Sequence, residues 1–197
     1  MIGKQAKTLS AAQIQEILDF VARGRHPERD RVITLLSFKA GLRAKEICAL
    51  TWTMVTDASG EIAAEIALPN HATKGNSGRV IPIHRELARA LHSLRETHRE
   101  LARPTDPIVY PDRRMGEFQR PGTLVVWFYS LYKRLGFTGA SSHSGRRTFI
   151  TGMARIAETS GGSLRDVQRL AGHSSLAMTQ RYIEENTSAQ RRMVDSL

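Results

Sequence analysis

Cysteine is almost missing from this chain of 197 residues. The single Cys48 excludes an internal disulfide framework and any zinc site built on cysteines, and it fits a reducing compartment. Long apolar runs are missing as well. No apolar stretch reaches the roughly 18 residues of a membrane-spanning helix. The N-terminus lacks the basic end and apolar block of a secretory leader. Negative charge is scarce: 19 Asp+Glu stand against 29 Lys+Arg, a formal net charge of +10. A globular chain this basic is read as the partner of a polyanion, nucleic acid first. There is no P-loop, no GxGxxG, no HExxH and no GxSxG. ATP, nicotinamide, zinc-hydrolase and α/β-hydrolase chemistry therefore lack their usual marks. Hydrophobic residues are 41%, enough for a core in one domain, or one domain plus an arm. The expectation is a soluble, intracellular, basic protein.

Periodicity supplies the elements. Ser10 and Gln13 form a capping box ahead of Ile14, Ile17, Leu18 and Val21, which share a helical face. RGRHPERD reads as a break. Val32, Leu35 and Leu36 mark a second helix, stopped at Gly41. Arg43, Ile47 and Leu50 share a face of a short third one. IAAEIAL and RVIPI read as strands joined through the turn formers of NHATKGNSG, a β-hairpin with Lys74 near its tip. Leu87, Leu91 and Leu94 align on a helix, and RPTDPIVYPD is a loop. Leu124, Phe128, Leu131 and Leu135 mark an amphipathic helix. Phe149, Ile150, Met153 and Ala157 mark another. Ser163 and Asp166 cap a helix with Leu164, Val167 and Leu170. Short helices are expected over Met178 to Tyr182 and Ala189 to Val194. The fold class is mainly α with a small antiparallel β-sheet.

The distinctive polar residues are cationic, and each has an ordinary explanation when taken singly. Arg43 and Glu46 fit a surface ion pair. Lys74 fits a solvated turn lysine. His143 and Arg146 have the spacing H-x-x-R, but so do His26 with Arg29, in a Pro-containing loop, and His92 with Arg95, in a helix of solvated charges. Only the pair at His143 precedes an apolar helix that anchors it. His173 after Gly172 fits a capping histidine before a helix started by Ser174 or Ser175. Tyr182 fits a packing tyrosine.

Order and spacing together carry more. The fragments GLRAKEICALTW, TKGNSGRVIPI, HSGRRTF and LAGHSSLAMTQRY resemble, as a set, the catalytic domain of the tyrosine recombinase (phage integrase) family. The resemblance covers about residues 8–182, and the tyrosine nine residues after the histidine is its most specific part. It implies the recombinase catalytic-domain fold over residues 1–182 and a helical tail over 183–197. It also implies site-specific cleavage and rejoining of DNA through a 3′-phosphotyrosine. Arg43 and Arg146 would clamp the phosphate, because guanidinium matches it bidentately. Tyr182 would be the nucleophile and Lys74 the general acid to the leaving 5′-oxygen. His143 would assist proton removal from Tyr182. His173 would donate to the phosphate, and Glu46 would orient these side chains from behind. Lys45, Arg79, Arg147 and Arg181 are expected DNA contacts. No metal, cofactor or ATP is implied.

The implied partners are double-stranded DNA, further copies of the chain in a tetrameric synapse, and accessory DNA-bending proteins, with no membrane. The implied location is the bacterial cytoplasm, at the nucleoid when active. A type IB topoisomerase-like enzyme, a non-catalytic DNA-binding regulator and an RNA-binding protein are the rival readings.

Two departures from the family stand out. The family usually has a bulky apolar residue where Gly145 stands, and glycine there is expected to loosen the helix start. Arg147 also adjoins Arg146, and H-x-x-R spacing selects Arg146. The second departure is that the chain starts almost at the catalytic domain, without the usual N-terminal core-binding domain. It is read as a naturally short recombinase, similar in length to the fimbrial phase-variation enzymes, ahead of an excised domain or a weakly binding remnant. The tail, with Val194 and Leu197, is expected to dock on a neighbouring protomer or to pack on its own domain.

Overall fold

Helix α2 (Pro27–Lys39) runs through the centre of the protein and buries residues on all sides, from Val32 and Ile33 to Leu35, Leu36 and Phe38. The computed structural model describes residues 6–73, 78–113, 115–157, 159–182 and 194–195. Around α2 lie α1 (Ala11–Val21), α3 (Ala44–Ala49), α4 (Arg85–Thr97) and α6 (Ser144–Ile156). Strands β1 (Glu65–Leu68) and β2 (Arg79–Pro82) form the small sheet. Helix α5 (Pro121–Arg134) packs beside α3, and α7 (Leu164–Ala171) and α8 (Leu176–Gln180) follow α6. The class is mainly α with one antiparallel pair, as expected. No described helix is long and apolar enough to cross a membrane.

Local signals account for most boundaries. The capping box of α1 forms, with the Ser10 N–H donating to Gln13 and the Gln13 N–H to Ser10. Ser163 and Asp166 start α7 in the same way. The break expected over RGRHPERD is half right. Helix α2 starts inside it, with Pro27 in the first turn, where no N–H is needed, and Glu28 and Asp30 complementing the helix dipole. Arg29 is thus helical and 3% exposed, not in a loop. It donates to Asp30 at 2.9 Å and to the Tyr110 carbonyl at 3.0 Å. Periodicity cannot reveal a charge that is turned inward and paired.

The hairpin has Ile66 opposite Ile81, both buried. Only the second half of IAAEIAL is strand. Its connection includes a 3₁₀ turn at Asn70–Ala72, and Lys74 lies outside the described residues. The proline-rich loop carries Ile108, Val109 and Tyr110 into the core, where the Ile108 N–H donates to the Leu50 carbonyl at 3.0 Å. The tail helix expected over Ala189 to Val194 also lies outside the described residues, apart from Val194.

Among the described residues two apolar clusters form. The larger joins α1 to α5 and the sheet. The smaller holds Phe149, Ile150, Ala157, Val167 and Ala171, with Tyr182 packed against it.

Gly145 corrects an expectation. It does not loosen α6; it lets α6 approach α2. A Cβ at this position would lie 2.1 Å from the Ser37 hydroxyl and 2.8 Å from the Ser37 Cβ. A bulky apolar residue has no room here. Gly145→Ala is therefore expected to destabilise the fold by about 1–3 kcal/mol, the size of an overpacked core. Thermal unfolding checks this, and an unchanged midpoint would refute the close approach.

Candidate active site

An open cleft of about 450 Å³ gathers Arg43, His143, Arg146, Arg147, His173, Arg181 and Tyr182. These side chains come from the loop before α3, the start of α6, the turn after α7 and the turn that ends α8. Its described lining contains no carboxylate. Lys45, two positions after Arg43, is exposed but does not line the cleft.

Arg43 is the residue before α3 rather than inside it. Its N–H donates to Glu46 Oε2 at 2.9 Å, so Glu46 caps the helix, and its guanidinium donates to Oε1 at 2.9 Å. Glu46 is fully buried, at 0% exposure. Arg79 meets it from the other side with two hydrogen bonds, at 3.0 and 2.9 Å. Burial pushes the Glu46 carboxyl up, but the bonds and charges of Arg79 and Arg43 outweigh it and hold the carboxyl below its usual range.

Arg79 thus sits elsewhere than on the open surface expected of a DNA contact. Its side chain is 5% exposed, and its Nε donates to the Leu170 carbonyl at 2.9 Å. A sequence signal was present. In a strand, alternate residues share a face, and Arg79 is two positions from buried Ile81 while Val80 points outward.

Arg146 is 4% exposed. Its guanidinium donates to the Gly41 carbonyl at 2.8 Å and to the Ala171 carbonyl. These carbonyls lie just past α2 and at the last residue of α7, where helix ends leave acceptors unpaired. Burial, and then the Arg43 charge, lower the Arg146 pKa. Arg147 is half-buried on the cleft wall, and Arg181 is exposed at its rim. His143 precedes the first turn of α6 and is exposed.

His173 follows Gly172, whose φ of 60° ends α7 in the left-handed conformation that glycine adopts without strain. The histidine is 7% exposed. Burial pushes its pKa down to about 4, helped by the charges of Arg146, Arg43 and Arg79. It is therefore neutral at pH 7 and carries one ring proton. Ser175, not Ser174, precedes α8, and its side chain makes no capping bond. The His173 ring stacks on Tyr182, with centroids 5.5 Å apart and planes at 27°. Thr151 donates to the Tyr182 carbonyl at 3.3 Å. Arg43, Arg79 and Arg146 against Glu46 leave a surplus of two positive charges around this ring. A partly buried cationic surplus of this kind favours an anion with several acceptor oxygens.

Sequence reasoning missed Thr179, which bonds His173. It sits three positions before Tyr182, the i, i+3 spacing of one helical turn, which was the one hint available.

The sequence matches the phage integrase family over residues 7–189. It is 30% identical to tyrosine recombinase XerC of Xanthomonas axonopodis pv. citri (strain 306) over 154 residues, 78% of this chain and 46% of that protein. It is 30% identical to tyrosine recombinase XerA of Thermococcus kodakarensis over 179 residues, 89% of this chain and 57% of that one. The chain thus spans about half the length of these relatives. A crystal structure of XerA recombinase superposes with a TM-score of 0.73 at 25% identity, covering 96% of this chain and 64% of the other. The Tn1549 transposon integrase, in complex with circular intermediate DNA, shares the fold with a TM-score of 0.72 at 21% identity, over 100% of this chain and 68% of the other. With the match running through the loop of Arg43, the turn of His173 and the helix end at Tyr182, the chain belongs to the phage integrase family.

Proposed function

We propose that this chain is the catalytic domain of a site-specific DNA recombinase, which cleaves and rejoins strands through a 3′-phosphotyrosine. The observation that carries the reading is the cleft itself. It brings Arg43, Arg146, His173 and Tyr182 together from four parts of the chain, with a surplus of positive charge and a buried carboxylate behind it. The Tyr182 oxygen attacks the scissile phosphorus as the bond to the 5′-oxygen breaks. Arg43 and Arg146 take the charge that builds on the non-bridging oxygens. His173, neutral at pH 7, donates to one of them. His143 at the rim takes the tyrosine proton, and Lys74 returns a proton to the leaving 5′-oxygen. The phosphodiester bond energy is kept in the phosphotyrosine, so rejoining needs no ATP.

Double-stranded DNA is the partner. Lys45, Arg147 and Arg181 supply backbone contacts, and a synapse of several copies brings two sites together. Arg79 acts by positioning: it ties Glu46, and through it Arg43, to the end of α7. Arg79→Lys keeps the charge but cannot span the Glu46 carboxylate and the Leu170 carbonyl together. It is expected to slow cleavage about tenfold or more at saturating DNA while leaving affinity nearly unchanged. Cleavage at the wild-type rate would reduce Arg79 to charge balance.

The reading is tested by rapid denaturation of cells that express the chain, followed by sequencing of the DNA left covalently attached. Attachment at discrete loci, and joining of two different duplexes that carry the recovered segment, support a recombinase. Relaxation of supercoils without joining points to a topoisomerase-like enzyme. Binding without attachment points to a regulator.

A further inference from the structure

Thr179 lies in α8 and is fully buried, at 0% exposure. Its hydroxyl is 3.0 Å from Nδ1 of His173. Its carbonyl accepts the Tyr182 N–H at 2.9 Å. One residue therefore holds both the histidine ring and the backbone of the tyrosine.

A neutral imidazole carries its proton on one nitrogen and accepts at the other, and the partner of one nitrogen decides the state of both. The Thr179 hydroxyl has no other hydrogen-bond partner among the described residues. If Nδ1–H donated to the hydroxyl, the buried threonine proton would have no acceptor among the described residues, an arrangement that protein interiors avoid. If the hydroxyl donates to Nδ1, both groups are satisfied. The ring proton then sits on Nε2, on the side of the ring away from Thr179. His173 lines the cleft, and Nε2 is its one nitrogen not committed to Thr179.

We propose that Thr179 is a positioning residue, which fixes the His173 ring and keeps its proton on Nε2, where it is presented to a phosphate oxygen. The same bond denies His173 the role of general base. An Nε2 that carries the proton cannot accept one from the Tyr182 beside it. Proton removal is left to the exposed His143. The identity of the acceptor rests on the recombinase reading; the position of the proton rests on the burial of the ring and its bond to Thr179.

Two measurements test this. In the intact chain labelled with ¹⁵N-histidine, the His173 signals at neutral pH are expected to show protonation at Nε2 and a bare Nδ1. Protonation at Nδ1 would overturn the proposal without any variant. On the DNA segment recovered by covalent trapping, Thr179→Val removes the hydroxyl while keeping a similar shape, and Thr179→Ser keeps the hydroxyl. Thr179→Val is expected to slow cleavage about 10- to 100-fold at saturating DNA, by analogy with the loss of partners that orient metal-bound histidines. DNA affinity should stay within about twofold, and Thr179→Ser should cleave within about threefold of wild type. Unimpaired cleavage by Thr179→Val overturns the proposal. So does a serine variant as slow as the valine one, which would assign the effect to the lost methyl group. If the wild-type chain never becomes linked to DNA, the recombinase reading fails instead, and the ¹⁵N signals still decide where the proton lies.

Discussion

Tyr182→Phe is expected to abolish covalent attachment to DNA, a loss of more than about a thousandfold, because no other group replaces a removed nucleophile. The structure gives reasons to expect that little else changes. The Tyr182 ring stacks on His173 and packs against the small cluster between α6 and α7, and phenylalanine keeps both contacts. Its backbone is held by Thr179 and Thr151, whatever the side chain. The phenylalanine variant should therefore fold, bind DNA as wild type does, and leave it uncut. Gel electrophoresis after denaturation separates the outcomes. A covalent adduct that survives in the variant would move the nucleophile elsewhere.

The second large effect separates two adjacent arginines. Arg146→Ala should lower cleavage at saturating DNA by about 10²–10³-fold, the usual result of deleting a donor to developing charge. It also strips partners from the Gly41 and Ala171 carbonyls, so unfolding must be measured beside activity. Arg146→Lys controls for this: it restores a charge, yet one ammonium cannot serve both carbonyls and a phosphate fork. Its cleavage should remain low even where its stability recovers. Arg147→Ala should leave the rate at saturating DNA nearly intact. It should instead weaken binding and flatten the salt dependence by about one unit of slope, as one phosphate contact is lost. Equal residual cleavage from both alanine variants would sink the assignment.

Much of this protein was legible in one dimension. The amphipathic spacing of Ile14, Ile17, Leu18 and Val21, and of Leu124, Phe128 and Leu131, specified helices whose inward faces match, with Ile14 half-buried and the others buried. The capping boxes at Ser10 and Ser163 specified where two helices start. These are local signals, set by the geometry of a few consecutive residues, and a sequence displays them directly. The family resemblance likewise rested on short ordered fragments, and residues 7–189 match that family.

The tertiary structure decided the rest, because burial and pairing depend on residues far apart in the chain. Arg29 belonged to a segment that read as a break, but the Tyr110 carbonyl, 81 positions away, accepts a hydrogen bond from its guanidinium in the interior. Arg79 read as a surface cation, yet a buried carboxylate 33 positions away takes two of its hydrogen bonds. Gly145 read as a loose helix start, while the neighbouring Ser37 leaves no room there for a Cβ. The sequence by itself determined most of the described helices, the antiparallel strand pair and the family. Only the folded chain determined which charges are buried and which partner each one meets. Desolvation and hydrogen bonding are properties of the assembled neighbourhood; a local pattern such as the strand alternation at Arg79 can mark an inward face, but it does not name the partner met there.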